Sequence, residues 1–319
     1  MFEQISFQTD EEWREFRKQG IGGSDAGTIL VVNPYESPFE LWLEKTGRQE
    51  PADLSGNEKI EWGNRLESAI AQKFADLHPE YSVEETHATF VSEERPFMHA
   101  NIDRQLQDLK TGALGILEVK TAGLMSEGDW VFGPPDHYIA QVTHYLAVTG
   151  YEFAYIAVLI GGQEYREYEI ARDEEDISTL IDREEEFWGM VQSNTMPKVV
   201  GTDGEAKALA RAFKDDDGEV PQVSDIDHPE IFECWQVCQD FKEIEARKKK
   251  LMSEVKALIG KHKGVETESM KVTWPRGSVV EYMGKDGIAA LKRDHPEIFD
   301  KYKSQRIHDG GVRFSFAKE

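Results

Sequence analysis

The octet Leu114-Gly115-Ile116-Leu117-Glu118-Val119-Lys120-Thr121 constrains this chain more than any other stretch. It reads as an apolar strand that ends in a carboxylate and an ammonium two residues apart. Side chains alternate across a strand, so Glu118 and Lys120 share one face while Leu117 and Val119 share the other. A hydrophobic strand has no packing use for such a pair. An exposed cross-strand salt bridge is the plain structural reading. The chemical reading is a metal-dependent phosphodiesterase, in which the carboxylate holds a divalent ion and the lysine sits by the attacking water or the scissile phosphate.

Local signals place this strand among helices and other strands. Thr9-Asp10-Glu11-Glu12 is a capping box that opens a short helix through about Lys18. Gly20-Ile21-Gly22-Gly23-Ser24-Asp25 makes a glycine-rich turn in which Ser24 or Asp25 can cap a helix through about Val31. Ser37-Pro38-Phe39-Glu40 combines an N-cap, a first-turn proline and a capping-box glutamate, and Gly47 closes that helix. A longer helix is expected over 57–77, then strands over 81–92, 97–103 and 114–121. A helix from Asp136 to Gly150 leads to strands over 153–160 and 165–171 and a helix over 173–193. This order predicts an α/β layer around a central mixed sheet.

Residues 1–196 form the expected core, and 197–228, rich in Gly, Asp and Pro, read as an acidic linker or insert. Residues 229–319 read as a helical arm with a small α+β extension: a charged helix from Pro229 to about Lys263, strands over 265–274 and 312–316, and a helix near 285–303. Asp-His-Pro-Glu-Ile-Phe occurs at 227–232 and again at 294–299, which reads as one helix-start phrase used twice. A hydrophobic content of 39% and seven Trp suit a packed protein. No apolar run approaches the roughly 20 residues of a membrane span, and the N-terminus lacks a signal peptide. Cys234 and Cys238, the two cysteines, sit four apart in a helix without zinc-type partners, so a reducing cytoplasm is expected.

The formal net charge of −24 opposes a nucleic-acid partner at first sight. At physiological salt, however, charges are screened beyond about 8 Å, so a local basic channel can outvote a distant acidic face. The acid is also uneven: 173–176, 184–186 and 215–217 are acidic clusters, whereas Arg247-Lys248-Lys249-Lys250, Lys256, Lys261 and Lys263 are a basic counter-segment.

Several residues outside the octet carry chemistry. Asp103 ends the apolar stretch Phe97 to Ile102, and if that strand neighbours 114–121 the Asp103 and Glu118 carboxylates can meet. Two carboxylates and a backbone carbonyl suit Mg²⁺ or Mn²⁺. In the 57–77 helix, Glu67 shares a face with Ile60, Gly63, Ile70 and Phe74, where an unpaired carboxylate is expensive. It is either a third metal-site acid or the partner of a buried Lys or Arg. Gln141 lies on the helix face of Tyr138, Val142 and Tyr145, either orienting the lysine or the water or resting as a satisfied interior amide. Arg17 with the Gly22-Gly23-Ser24 turn offers an anion site.

Taken together, these residues resemble the PD-(D/E)xK nuclease superfamily, and within it the YqaJ-like viral recombinase group related to phage lambda exonuclease. The resemblance rests on Arg17 with Gly20-Ile21-Gly22-Gly23-Ser24-Asp25, on Gly63-Asn64-Arg65-Leu66-Glu67, on Asn101-Ile102-Asp103, on Leu117-Glu118-Val119-Lys120-Thr121 and on Gln141-Val142-Thr143-His144-Tyr145-Leu146. It covers roughly residues 10 to 195. It implies a restriction-endonuclease-like core and a Mg²⁺-dependent enzyme, with Mn²⁺ as a substitute, that resects double-stranded DNA ends 5′ to 3′. It also implies a phage-type single-strand annealing protein as partner in a bacterial cytoplasm, and it leaves open a homo-oligomer. By resemblance, Asp103 and Glu118 are metal ligands, Val119 gives its carbonyl, Glu67 is an outer or second ligand, Lys120 positions or activates the water, Gln141 supports the lysine, and Arg17 and Ser24 hold a DNA phosphate.

Arg104 departs from the pattern, since relatives carry glycine after the acid. The acidic insert is also outside the core motifs. Two other readings stay open: an endonuclease on the same core, and a non-catalytic module that binds a recombination partner or mimics DNA.

Overall fold

The computed structural model describes residues 1–51, 56–215, 217–275 and 285–302. The chain divides into two compact units, Met1–Lys214 and Asp215–Glu319.

The first unit opens with β1 (Phe2–Ile5), α1 (Asp10–Arg17), β2 (Ile21–Gly22), α2 (Gly23–Ile29), α3 (Pro38–Lys45) and α4 (Glu58–Leu77). The helix starts follow their caps: Thr9 accepts from the Glu12 N–H, Ser37 and Glu40 exchange the reciprocal bonds of a capping box, and Asn57 accepts from the Lys59 N–H. Strands β3 (Tyr81–Glu85), β4 (Thr89–Ser92), β5 (Met98–Ala100), β6 (Arg104–Asp108) and β7 (Leu114–Ala122) follow, then α5 (Asp136–Thr149), β8 (Phe153–Ile160), β9 (Glu164–Ala171), α6 (Glu174–Ser193) and α7 (Asp203–Ala212).

The main sheet has the order β3-β6-β7-β8-β9 and is mixed, with β7 and β8 parallel and every other pair antiparallel. A second sheet has the order β1-β4-β5-β2. The parallel β7–β8 pair requires a crossover, which α5 supplies. Alternation along β7 divides the core as its sequence demands. Leu117 and Val119 pack with Ile70 and Phe74 of α4, while Ile116 packs with Val142, Tyr145 and Leu146 of α5. Gly115 is required where Phe153 crosses it, since a Cβ there would lie 2.4 Å from the ring.

Three expectations change in the first unit. The stretch 81–92 is two strands in different sheets, β3 and β4. The strand after residue 97 ends at Ala100, pairs with β4 and β2, and is not the neighbour of β7. That neighbour is β6, whose Arg-Gln-Leu-Gln-Asp sequence has one apolar residue and so no strand signal of its own. Residues 203–212, within the stretch read as linker, form α7, which docks on α3 with Ala208 fully buried beside Leu41, Trp42 and Phe187.

The second unit holds α8 (Pro229–Ile259), the hairpin β10 (Gly264–Glu266) and β11 (Lys271–Thr273), α9 (Lys285–Asp294) and α10 (Pro296–Tyr302). Both copies of the repeated phrase are helix starts, Pro229 opening α8 and Pro296 opening α10. The expected single helix near 285–303 is therefore two, because Pro296 cannot continue the first. The strand expected at 312–316 lies outside the described residues. Among the described residues no helix is long and apolar enough to cross a membrane.

Candidate active site

On the α5 side of β7 the carboxylate and the ammonium meet. Glu118 is 2% exposed, and its Oε1 accepts from Lys120 Nζ at 2.6 Å and from Gln141 Nε2 at 2.7 Å. Lys120 Nζ also donates to Gln141 Oε1 at 3.1 Å and lies 4.6 Å from the Tyr138 ring. Gln141 Nε2 reaches the Tyr145 hydroxyl at 2.8 Å. Two successive turns of α5 thus set Tyr138, Gln141 and Tyr145 against the pair that β7 presents.

Asp103 sits half-buried just before β6, and its Oδ2 accepts from the Val119 N–H at 2.7 Å. Val119 joins the site through its amide in this contact. The antiparallel β6–β7 register brings Asp103 here: Arg104 pairs with Leu117, so continuing the register sets the residue before Arg104 opposite Glu118, midway along β7. Burial, then the charge of Glu118, push the Asp103 carboxyl well above the usual carboxylate range. Burial opposes the Lys120 charge, but Glu118 and Asp103 outweigh it and hold the ammonium above its ordinary value.

Glu67 makes the buried-arginine ion pair that was one of the two readings for it. Arg104, itself 6% exposed, donates to Glu67 Oε1 at 2.6 Å, to the Asp103 carbonyl at 2.6 Å and to Ser68 Oγ at 3.3 Å. The helix face expected around Glu67 is also wetter than the pattern implied, with Ile60 39% exposed. Among the described residues no group of three or more His, Cys, Asp or Glu forms a ready ligand set. The donors that do meet suit a hard divalent cation. Glu118 Oε2 is buried without a hydrogen-bond partner, and a carboxyl raised by a neighbouring carboxylate gains when a cation is added. Asp103 and Glu118 would hold the ion, and Glu67 remains close enough for its charge to act on Asp103.

Arg17 and Ser24 are brought together, Nη2 to Oγ at 2.7 Å. They line a cavity of about 200 Å³ that also includes Trp13, Asn101, Gln141 and Tyr145. The turn that carries Ser24 is built on Asp25, whose Oδ2 accepts from the Gly22 N–H at 2.9 Å and from Lys45 Nζ at 2.7 Å. Gly23 serves packing as well as the turn, because a Cβ there would lie 2.3 Å from Tyr145 Cε1. The pairing of Asp25 with Lys45 escapes sequence reading, and the available signal was a lysine that follows the largely apolar stretch Phe39 to Leu43.

Comparison with known proteins places these residues in a family. Residues 12–152 match the YqaJ-like viral recombinase domain. The chain is 34% identical over 305 residues to the protein YqaJ of Bacillus subtilis (strain 168), a match that covers 92% of this chain and 91% of the relative. Among solved structures, an alkaline exonuclease from Laribacter hongkongensis aligns with a TM-score of 0.47 at 16% identity, over 63% of this chain and 98% of that one. A phage-related exonuclease from Haemophilus somnus 129PT aligns with a TM-score of 0.39 at 12% identity, over 55% and 96%. These two are remote likenesses, and the assignment rests on the sequence matches. The chain belongs to the YqaJ family, the YqaJ-like viral recombinases.

Proposed function

We propose that this chain is a divalent-metal-dependent deoxyribonuclease that resects double-stranded DNA ends 5′ to 3′, supplying single strands to a phage-type annealing protein. The observation that carries this reading is the meeting of Asp103, Glu118, Lys120 and Gln141 around the partnerless Glu118 Oε2. Mg²⁺, or Mn²⁺ in its place, would be held by Asp103 and Glu118, with the Val119 carbonyl and Glu67 as further donors. When bound it would supply Lewis-acid activation of water and charge stabilisation at the phosphate.

The chain's own groups do the rest. Lys120, 2.6 Å from Glu118, is placed to position or activate the water or to contact a phosphate oxygen. Gln141 fixes that ammonium and Glu118 at once, and Tyr145 fixes Gln141. Arg17, which reaches Ser24 across the mouth of the shared cavity, offers a bidentate contact to a phosphate. Membership of the YqaJ-like viral recombinase family agrees with this reading.

Digestion of end-labelled linear duplex tests it, with Mg²⁺ and with chelator, beside closed circular duplex. We expect mononucleotides released from 5′ ends of linear DNA only. Cutting of the circle would make the enzyme an endonuclease. An inert wild-type protein with either metal would remove the assignment.

A further inference from the structure

The connection from β7 to α5 links the strand carrying Glu118 and Lys120 to the helix carrying Gln141, and it is fastened at both ends. The Gly161 N–H donates to the Ala122 carbonyl at 2.8 Å. Trp130 is 2% exposed, and its carbonyl accepts from the Tyr168 hydroxyl at 2.6 Å and from Arg166 at 3.3 Å. Arg166 also pairs with Glu127 at 3.4 Å, and Gly133-Pro134-Pro135 stiffens the entry to α5.

This fastened segment nevertheless turns apolar side chains outward. Phe132 and Met125 are fully exposed, and Leu124 and Val131 are 69% and 57% exposed. Apolar groups scattered singly need no explanation, but four of them within the nine residues 124–132 of a fastened segment point to a contact surface. Their place is tied to the chemistry by stacked rings. Lys120 Nζ lies 4.6 Å from the Tyr138 ring, Tyr138 stacks on Trp130 at 5.5 Å, and Phe132 follows Trp130 by two residues.

We propose that Phe132 is a stacking platform for an unpaired nucleobase of the DNA strand whose phosphate lies at Lys120, with Met125 as a second apolar contact. A base offers a π-face whatever its identity, so such a grip tolerates any sequence, as a resecting enzyme requires. It also suits a chain of net charge −24, which gains less than most nucleic-acid-binding proteins from general attraction to phosphate. The inference deepens the nuclease reading and rests on it for the identity of the ligand.

The test uses the full chain as wild type, Phe132→Ala, Phe132→Trp and Phe132→Leu. Each is titrated in chelator and in Mg²⁺ with a short duplex carrying 2-aminopurine at its ends, and each is assayed for hydrolysis. We expect Phe132→Ala to weaken binding about fivefold to a hundredfold, to change the 2-aminopurine signal, and to raise KM while kcat at saturating DNA holds. Phe132→Trp should bind like wild type and Phe132→Leu like the alanine variant, a ranking that simple apolar contact would not produce. Binding by Phe132→Ala within about twofold of wild type would overturn the inference. A changed sedimentation profile with DNA binding intact would overturn it too, giving the surface to self-association. If wild type binds the duplex but hydrolyses nothing, the nuclease reading fails while the binding comparison still decides the role of Phe132. A wild type that does not bind the duplex overturns both.

Discussion

Replacing Lys45 by methionine removes the cation on which the Asp25 carboxylate depends. The Lys45 side chain is 0% exposed, with its Nζ 2.7 Å from Asp25 Oδ2 and 3.2 Å from the Arg17 carbonyl. Burial pushes the Asp25 carboxyl up, but Lys45 and then Arg17 overcome it and hold the group at about 2, against an ordinary 3.8. That lowering corresponds to about 2 kcal/mol of stability. It is fully present above the unfolded-state value and is lost as the pH falls from there through about 2. Methionine fills much of the lysine's volume but leaves Asp25 with the Gly22 N–H at 2.9 Å and Arg17 at 3.5 Å. Removing one partner of a buried pair costs about 3–5 kcal/mol, and with Arg17 remaining we expect the lower end, about 3 kcal/mol. In the variant burial is less well opposed, so the carboxyl moves up. The deficit against wild type should therefore grow with rising pH and shrink in acid. Urea unfolding followed by near-UV circular dichroism, at neutral and at acidic pH, measures both. Asp25→Asn combined with Lys45→Met should recover part of the loss. A deficit under about 1 kcal/mol at neutral pH, or one that does not shrink in acid, would refute the reasoning.

Gly23→Ala forces its new methyl against Tyr145, and overpacking of this kind costs about 1–3 kcal/mol. Because Tyr145 holds Gln141, turnover should fall further than the melting temperature suggests, which parallel kinetics and thermal melts will reveal. Lys120→Ala and Glu118→Ala should each lower DNA cleavage at least about a hundredfold, with circular dichroism unchanged. Chelation of the wild type should do the same and be reversed by added Mg²⁺; normal turnover in either variant would remove both residues from the chemistry. Burial lowers the His99 imidazole to about 4 from 6.5, so the folded protein binds this proton less readily than the unfolded chain. Stability should fall by about 3 kcal/mol as the pH drops from about 6.5 to about 4 and then level off, and His99→Asn should flatten that slope in pH-dependent unfolding.

The sequence by itself determined what depends on neighbours along the chain. Capping residues place the starts of α1, α3 and α4, alternation in β7 separates Glu118 and Lys120 from Leu117 and Val119, and helical spacing puts Tyr138, Gln141 and Tyr145 on one face. Motif order was enough to suggest the family. Tertiary structure decided whatever depends on a choice among distant partners. Strand β6 has too little apolar content to announce itself, so only the register with β7 shows how Asp103 comes to Val119. Glu67 had two readings, and only the fold shows that Arg104, from another element, brings its guanidinium to it. Asp25 is legible in sequence as a helix-cap candidate, and only the fold shows that its carboxylate is buried against Lys45 of α3. A chain can encode its periodicities locally. Which buried charge answers which depends on packing that brings together residues far apart in sequence, because a carboxylate out of water must find its counter-charge wherever the fold supplies one.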